Sequence, residues 1–541
     1  MEAHVPVFSV GSIPVGMRLS DGSNHDVIVQ RVSHGRVGVI AFGPDRLNAE
    51  RVTALKSLQA PLLKRRAIYE RFINAGLQWS GLWPHPNIIG VYGVTAMGEP
   101  ERSQRPFVAM EYAAHGSLRD WLNRGGLTRE AALAWAQCVA AGLTYLHEPD
   151  PAYLRKIPVT HGDLKPEHVL IQTNGVAVLT DLGLAKAVAE SARMDDLLPF
   201  IEVTAAQTET QGLPTTAGVT LGTPAYLAPE HWGDGATTDP AADIYAFGIM
   251  LYELLVGRHP LLELERRHSH QAWRQAHETQ LPQPLRAIDP SLPEALETLA
   301  LACLAKEAHA RPSARAVWER LQGVARSLGA LVWEVEEIVP HTPYNELVYW
   351  SNWSASYAWF ERWEEALERN DRALQIDPQA VPALSNQGDI FVGLNRYDEA
   401  KAAYQTALQY AETEKEQSMV WGRLGTMHNE AGHDALLARN YPAASARFEQ
   451  ADAAYARQMK LAPHESDGPL NRAVNQRLWA EAEEGCGWVA ATLEHLKLAL
   501  TYASVAAQLG DTTALEYERT IIGYIQQLSE SLRGGEDLLA L

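Results

Sequence analysis

Hydrophobic and polar positions follow three different rhythms along the chain. Between Val27 and Val108, short apolar runs (VIVQRV, VGVIAF and RPFVAMEY) stand between polar turns, and this pattern predicts strands. An amphipathic stretch from about Pro61 to about Leu82 interrupts them and predicts a helix. From Ser117 to about Leu328 the pattern is mostly helical, broken by loops with Gly, Pro and Thr. Pro340 and Pro343 mark a boundary, after which Pro is sparse and Ala, Glu, Tyr and Trp recur at helical spacing. The most apolar long stretch, Ala131 to Leu146, is too short to cross a bilayer and carries Gln137 and Thr144, so it predicts a buried helix.

Composition narrows the class. A chain of 541 residues exceeds what one hydrophobic core supports, so two or three domains are expected. With 46% hydrophobic and 21% charged residues it reads as ordinary globular protein. A net charge of −20 argues against general affinity for nucleic acid or anionic membrane. Cys138, Cys303 and Cys486 are far apart and form no CxxC pair, which suggests neither a zinc site nor a disulfide framework. The N-terminal MEAHVPVFSVGSIPVG has no basic leader and no unbroken apolar core, so it does not read as a signal peptide. A reducing cytoplasm is the expected location.

Five motifs occur in order. His161 to Ile171 reads HGDLKPEHVLI, Thr180 to Gly183 reads TDLG, and Gly222 to Glu230 reads GTPAYLAPE. Asp243 to Gly248 reads DIYAFG, and Arg311 with Pro312 follows. Together they resemble the catalytic loop, magnesium triplet, substrate-binding loop, buried helix and late arginine of bacterial-type Ser/Thr protein kinases. An isolated Asp would read as a surface charge or a helix cap. In this frame the resemblance implies that Asp163 accepts the proton of the substrate hydroxyl and Lys165 sits against the γ-phosphate. It further implies that Asp181 holds Mg²⁺ between the phosphates and Asp243 braces the catalytic loop. Lys165 and Thr223 favour Ser or Thr over Tyr as acceptor, again by resemblance.

The nucleotide side follows from the same likeness. Ser33 to Ile40 (SHGRVGVI) fits G-x-G-x-x-G-x-V with Ser33 for the first Gly, so Gly35 and Gly38 would let backbone N–H groups approach phosphate. A short Gly pattern of this kind is by itself more often a hairpin turn. Its weight comes from Thr53 to Lys56 (TALK), where Ala54 and the phosphate-gripping Lys56 should follow on the next strand. Phe107 to Ala113 (FVAMEYA) reads as the hinge. Met110 would guard the back pocket, the backbone of Glu111 and Ala113 would meet adenine, and Ile40 and Leu170 would close on it. ATP with Mg²⁺, or alternatively Mn²⁺, is the implied cofactor set.

Four departures bear on activity. Gly162 replaces the catalytic-loop Arg, which removes the partner of a phosphorylated loop. His168 replaces the Asn of the second magnesium site. Either Mn²⁺ is preferred, one metal is bound, turnover is poor, or His168 is a neutral hydrogen-bonding residue without a metal role. In the stretch Phe72 to Leu82 the Glu partner of Lys56 has become Ala75, and Glu70 lies about 140° round the helix, reachable only through a shifted register. The run from Asp181 to Glu230 is long and holds Thr204, Thr208, Thr210, Thr215, Thr216 and Thr220, a mobile polar loop or a cluster of autophosphorylation sites.

After Tyr349 a 34-residue period emerges. Ser354, Tyr357, Ala366 and Ala373 recur as Gly388, Phe391, Ala400 and Ala407, Trp350 maps to Leu384, and Pro378 closes the first unit. This resembles tetratricopeptide repeats. A third unit reads from Trp421, Leu424 and Gly425, then Ala444, Phe448 and Ala451. Its halves stand seven residues further apart, to be absorbed by a loop or by longer helices. Beyond Asp467 the pattern fades into helices around Trp488 to Leu509. Trp350, Trp353, Trp359 and Trp363 read as core.

The expected architecture is therefore an α+β bilobal protein-kinase fold followed by an all-α tetratricopeptide-repeat solenoid. Expected bounds are 1–17 for an N-terminal segment, 18–330 for the kinase (lobes 18–110 and 111–330), 331–345 for a linker and 346–535 for the repeats. Two functions stay open: a Ser/Thr kinase whose repeats bring a protein substrate or hold it in an assembly, and a pseudokinase scaffold or ATP-binding switch that works through binding. Expected partners are a protein substrate and a protein or peptide in the repeat groove, without nucleic acid or a membrane span.

Overall fold

The computed structural model describes residues 13, 15, 17–20, 26–34, 38–45, 48–97, 105–149, 158–182, 224–232, 239–261, 270–335 and 342–531. Gly35, Gly183, Gly222, Thr223 and the Thr-rich run before them lie outside these residues. The chain divides into two compact units, 1–340 and 341–541. Among the described residues no helix is long and apolar enough to cross a membrane.

In the first unit, β1 (Arg18–Ser20), β2 (Asp26–Ile28), β3 (Arg31–His34), β4 (Gly38–Asp45), β5 (Asn48–Leu58), β6 (Val91–Met97) and β7 (Arg105–Glu111) form one antiparallel sheet. Its order is β1-β2-β4-β5-β7-β6, with β3 also on β4. Strict in–out alternation along β4 puts Val39 and Ala41 into a core with Leu55, Phe107 and Ala109. Between β5 and β6 come α1 (Ala60–Leu63) and α2 (Arg66–Ser80). The single helix expected over 61–82 is thus broken after Leu63. Gly76 brings α2 close to the sheet: a Cβ there would stand 3.0 Å from both Val94 and Val108.

The helical part begins at α3 (Leu118–Arg124), where Ser117 and Asp120 form a capping box. α4 (Arg129–His147) is capped by Thr128 and is buried along most of its length. A hairpin of β8 (Val169–Ile171) and β9 (Ala177–Leu179) lies on it, followed by α5 (Pro240–Val256), α6 (His270–Thr279), α7 (Glu294–Cys303) and α8 (Ala314–Ser327). Asp239 caps α5 and Gly257 ends it in the left-handed region at φ 71°. Past α8 the chain returns across α4. Buried Gln137 donates to the Leu331 carbonyl and accepts from the Trp333 N–H, both at 3.0 Å. The Trp333 indole donates to Asn87 Oδ1 at 2.9 Å.

The second unit is a series of packed antiparallel helices. They are α9 (Pro343–Ala358), α10 (Trp363–Ile376), α11 (Val381–Gly393), α12 (Tyr397–Tyr410) and α13 (Glu414–Leu437). α14 (Tyr441–Leu461), α15 (Asp467–Gly485), α16 (Val489–Gln508) and α17 (Thr512–Ser531) complete it. The four turns inside the pairs share one geometry. Glu361, Asn395, Arg439 and Gly487 have φ of 57°, 58°, 57° and 79°. Each following N–H reaches back five residues, as from Arg396 to the Phe391 carbonyl at 2.8 Å. Counted from these turns, Ser354 and Gly388 correspond to Gly432 and Ala480. The Gly388 and Gly432 backbones touch the rings of Tyr404 and Phe448. The sequence pattern had pointed to Gly425, seven residues upstream. Seven residues are two helical turns and return to the same face, so both positions satisfy the pattern. Longer helices, α13 and α14, absorb the excess. Trp350 and Trp353 are buried in the stack, Trp363 lies against Gly393, and Trp359 is half-buried.

Candidate active site

Strand register places the residues expected around the nucleotide. Ile40 is paired with Lys56 across β4 and β5, and Ser33 with Ile40 across β3 and β4. Gly38 allows a tight approach, because a Cβ there would lie 3.2 Å from the Ser57 carbonyl and 3.7 Å from Lys56 Cε. Ala54 and Met110 are cross-strand partners and both are buried. The Glu111 carboxylate accepts from the Gly90 N–H at 3.3 Å and from Gln172 at 3.2 Å. Ala113 is half-buried just beyond β7, and Leu170 lies on β8, bridged to Ser117.

The floor carries the charged groups. Lys56 Nζ forms an ion pair with Asp181 Oδ1. Lys165 Nζ donates to Asp163 Oδ2 at 2.7 Å. Between the two pairs stands His168, with Nδ1 2.8 Å from the Asp163 carbonyl oxygen and Nε2 3.2 Å from Asp181 Oδ2. The structure therefore brings Lys56, Asp163, Lys165, His168 and Asp181 into one cluster from three separate segments.

Electrostatics follow from burial and pairing. Burial alone would raise the Asp181 pKa, but the Lys56 ammonium and then His168 outweigh it and hold the carboxyl well below its usual range. Asp181 also has φ 68°, an uncommon backbone state for a residue with a Cβ. Burial pushes His168 down to about 4, against the pull of Asp181 and Asp163, so the ring is neutral at pH 7. His161, fully buried and stacked 6.0 Å from the His168 ring, is likewise pushed down by burial.

Beneath the loop, Asp243 accepts from the His161 N–H at 2.8 Å and the Gly162 N–H at 2.9 Å, and meets His147 Nε2 at 2.9 Å. Burial opposes its ionisation, yet the bonds from His147 and the loop keep its pKa below the ordinary value. Gly162 takes φ 76°, where a glycine carries no Cβ strain. Arg311, its side chain fully buried, grips both oxygens of Glu230 at 2.7 and 2.8 Å.

On α2 the acid opposite Lys56 is absent. Ala75 occupies the expected position, and Glu70 faces outward, accepting from Arg66 at 2.7 Å. The groups that would hold a cation here are one carboxylate, Asp181, and one imidazole nitrogen, that of His168. Among the described residues no group of three or more His, Cys, Asp or Glu side chains forms a metal cage. A nucleotide-bound divalent ion takes one or two protein groups and completes its shell from phosphate and water, and this donor set fits that mode.

Residues 28–321 match the family described as the protein kinase domain. The chain belongs to that family. Its membership implies ATP and a divalent metal in general terms. The chain is similar to the serine/threonine-protein kinase drp72 of Corynebacterium efficiens, 29% identical over 230 residues, which cover 42% of this chain and 38% of that protein. It is 28% identical over 230 residues to PknA of Corynebacterium glutamicum (42% of each). To PknL of Mycobacterium tuberculosis it is 33% identical over 168 residues, 31% of this chain and 35% of that one. The chain thus spans between 35% and 42% of the length of these relatives.

The protein kinase unit contains supports that the sequence did not disclose. His147 braces Asp243 from α4, 96 positions away. Arg119 meets Glu167, Tyr226 and Glu253, which ties α3 and the catalytic loop to the GTPAYLAPE segment. His147, the last residue of the long apolar helix, was the available signal.

Proposed function

We propose that the first unit is a Ser/Thr protein kinase that moves the γ-phosphate of ATP onto a protein hydroxyl, and that the second is a tetratricopeptide-type arm that recruits that protein. One observation carries the first half: Lys56, Asp163, Lys165, His168 and Asp181 converge in a single charged cluster. In this reading the acceptor hydroxyl oxygen attacks the γ-phosphorus and the bond to the β,γ-bridging oxygen breaks. ADP leaves, and the hydroxyl proton passes to Asp163. Lys165 lies against the moving phosphoryl group, and Lys56 grips the α- and β-phosphates. A divalent cation, Mg²⁺ or Mn²⁺, would neutralise phosphate charge beside Asp181, with His168 next to it. Ser33, Gly35 and Gly38 would cover the phosphates. Ile40, Ala54, Met110, Glu111, Ala113 and Leu170 would enclose the adenine.

We assign 1–17 to an N-terminal segment, 18–330 to the kinase with its lobes meeting at 110–111, 331–345 to a linker and 346–535 to the repeats. The recurring small-against-aromatic contacts of the second unit support the repeat reading. Unpaired Cys138, Cys303 and Cys486 suit work in a reducing cytoplasm.

A second reading, a nucleotide-binding scaffold without transfer, is favoured by Ala75 and by the outward Glu70, which leave Lys56 without an acid on α2. Radiolabelled ATP with Mg²⁺ and Mn²⁺ in parallel separates the two. The kinase reading expects label on Ser or Thr from the wild type and a loss of about 10²-fold or more in Asp163→Ala. Equal labelling by both proteins rejects it. Thermal stabilisation by ATP with no transfer in either metal supports the scaffold.

A further inference from the structure

Past α8 the stretch 331–335 forms neither helix nor strand, yet Trp333 engages every polar group it has. Its N–H donates to Gln137 Oε1 at 3.0 Å, and its carbonyl accepts from Gln322 Nε2 at 2.9 Å. Its indole N–H donates to Asn87 Oδ1 at 2.9 Å. Trp333 lies beyond residue 321, where the family match ends, so this hold belongs to the chain's own extension.

The Asn87 amide stands between the indole and β9. Its Nδ2 donates to the Ala177 carbonyl at 3.1 Å, and the residue is fully buried. An indole N–H only donates and a main-chain carbonyl only accepts, so the amide has one orientation, oxygen toward Trp333 and nitrogen toward the strand. Without the indole, a turned amide sets its oxygen against the Ala177 oxygen, and an unturned one loses the donor to its buried oxygen. Asn87 also begins the edge along which β9 lies. Its main-chain carbonyl accepts from the Leu179 N–H, and the Leu179 carbonyl accepts from the Ile89 N–H, both at 2.9 Å. β8 pairs with β9 on the other side. Asp181 stands two residues past the end of β9, and Lys56 takes its acid from there, because α2 offers Ala75 at that place.

We propose that Trp333 is a positioning residue: by orienting the Asn87 amide it sets β9, and through β9 it sets Asp181 and the Lys56 ammonium for the phosphates of a nucleotide. The role rests on the nucleotide-binding reading proposed above. Affinity is measured on the full chain by titration with two ligands, β,γ-methylene-ATP with Mg²⁺, which cannot transfer its terminal phosphate, and adenosine, which has no phosphates. Trp333→Phe is expected to weaken the triphosphate about fivefold and adenosine by less than about twofold. In an Asp181→Asn background the fivefold effect should vanish, because it passes through that carboxylate. Gln322→Met frees the Trp333 carbonyl and keeps the indole. It should act in the same direction by a smaller factor, and it carries the comparison if Trp333→Phe does not fold. Equal losses for both ligands mean that Trp333 only holds the fold together, and overturn the proposal. Unchanged triphosphate affinity in Trp333→Phe, or a loss that persists in Asp181→Asn, overturns it as well, and leaves the nucleotide site standing. A wild type that binds neither ligand removes the nucleotide reading, and the positioning role falls with it.

Discussion

Burial of imidazole is a recurrent choice in the kinase unit, and it makes stability respond to acid. His277 is fully buried between Trp232 and Trp273, at ring distances of 5.6 and 5.7 Å, and Tyr245 meets its Nδ1 at 3.0 Å. Burial, and then the nearby Lys306 ammonium, push its pKa down to about 3. A histidine in the unfolded chain takes a proton as the pH falls through about 6.5, whereas the folded one resists until about 3. Across that window the unfolded state binds more protons, so acid favours unfolding. Urea midpoints at pH 7, 6 and 5 should decline steadily, and His277→Phe should flatten the decline. It will not abolish it, because His168 and, in the other unit, His428 are each pushed down to about 4. An equal slope in variant and wild type would show that His277 is not a source. At this scale the short motifs singled out Asp163, Lys165 and Asp181, and the structure brings their side chains together with Lys56 and His168. The sequence was silent on Lys56 with Asp181, since that ion pair joins positions far apart in the chain.

Among the elements, the helix pairs of the second unit reuse one packing rule, and one pair breaks it. Tyr404, Phe448 and Leu496 fill corresponding positions in α12, α14 and α16, each buried against its neighbours. In α10 the corresponding residue is Asn370, fully buried, with neither its amide oxygen nor its nitrogen bonded among the described residues. A buried amide without partners costs free energy that an apolar side chain of similar size does not. Asn370→Leu should therefore stabilise the second unit by roughly 1–3 kcal/mol in chemical denaturation. Destabilisation would mean that the amide is satisfied in solution. The order of strands and helices, an α+β two-lobed unit and then paired helices, was legible in the hydrophobic rhythm. Registration of the third pair was not, because a shift of two turns preserves the face on which the pattern is written. β1 and β6 gave too little alternation to be read at all.

For the molecule as a chain of two units, the segment leaving α8 matters most. Its hold rests on Gln137, which bonds the backbone at Leu331 and Trp333, and on the Trp333 indole bond to Asn87. Asn87 is fully buried; its carbonyl takes the Leu179 N–H and its side-chain amide donates to the Ala177 carbonyl. Trp333→Phe keeps an aromatic ring but removes that indole donor, at a cost of about 1–2 kcal/mol. Hydrogen exchange should quicken in peptides covering 86–90 and 177–182 and stay unchanged in those covering α11–α16. Unchanged exchange at 177–182 would show that the bond carries no weight there.

The place of that bond has a mechanical meaning. β9 ends at Leu179, and Asp181 follows two residues later. A disturbance at Trp333 therefore reaches Asn87 and then β9, which ends two residues before Asp181. The fastened end of the segment leaving α8 thus lies two residues from Asp181, the acid that the proposed function sets beside the phosphates.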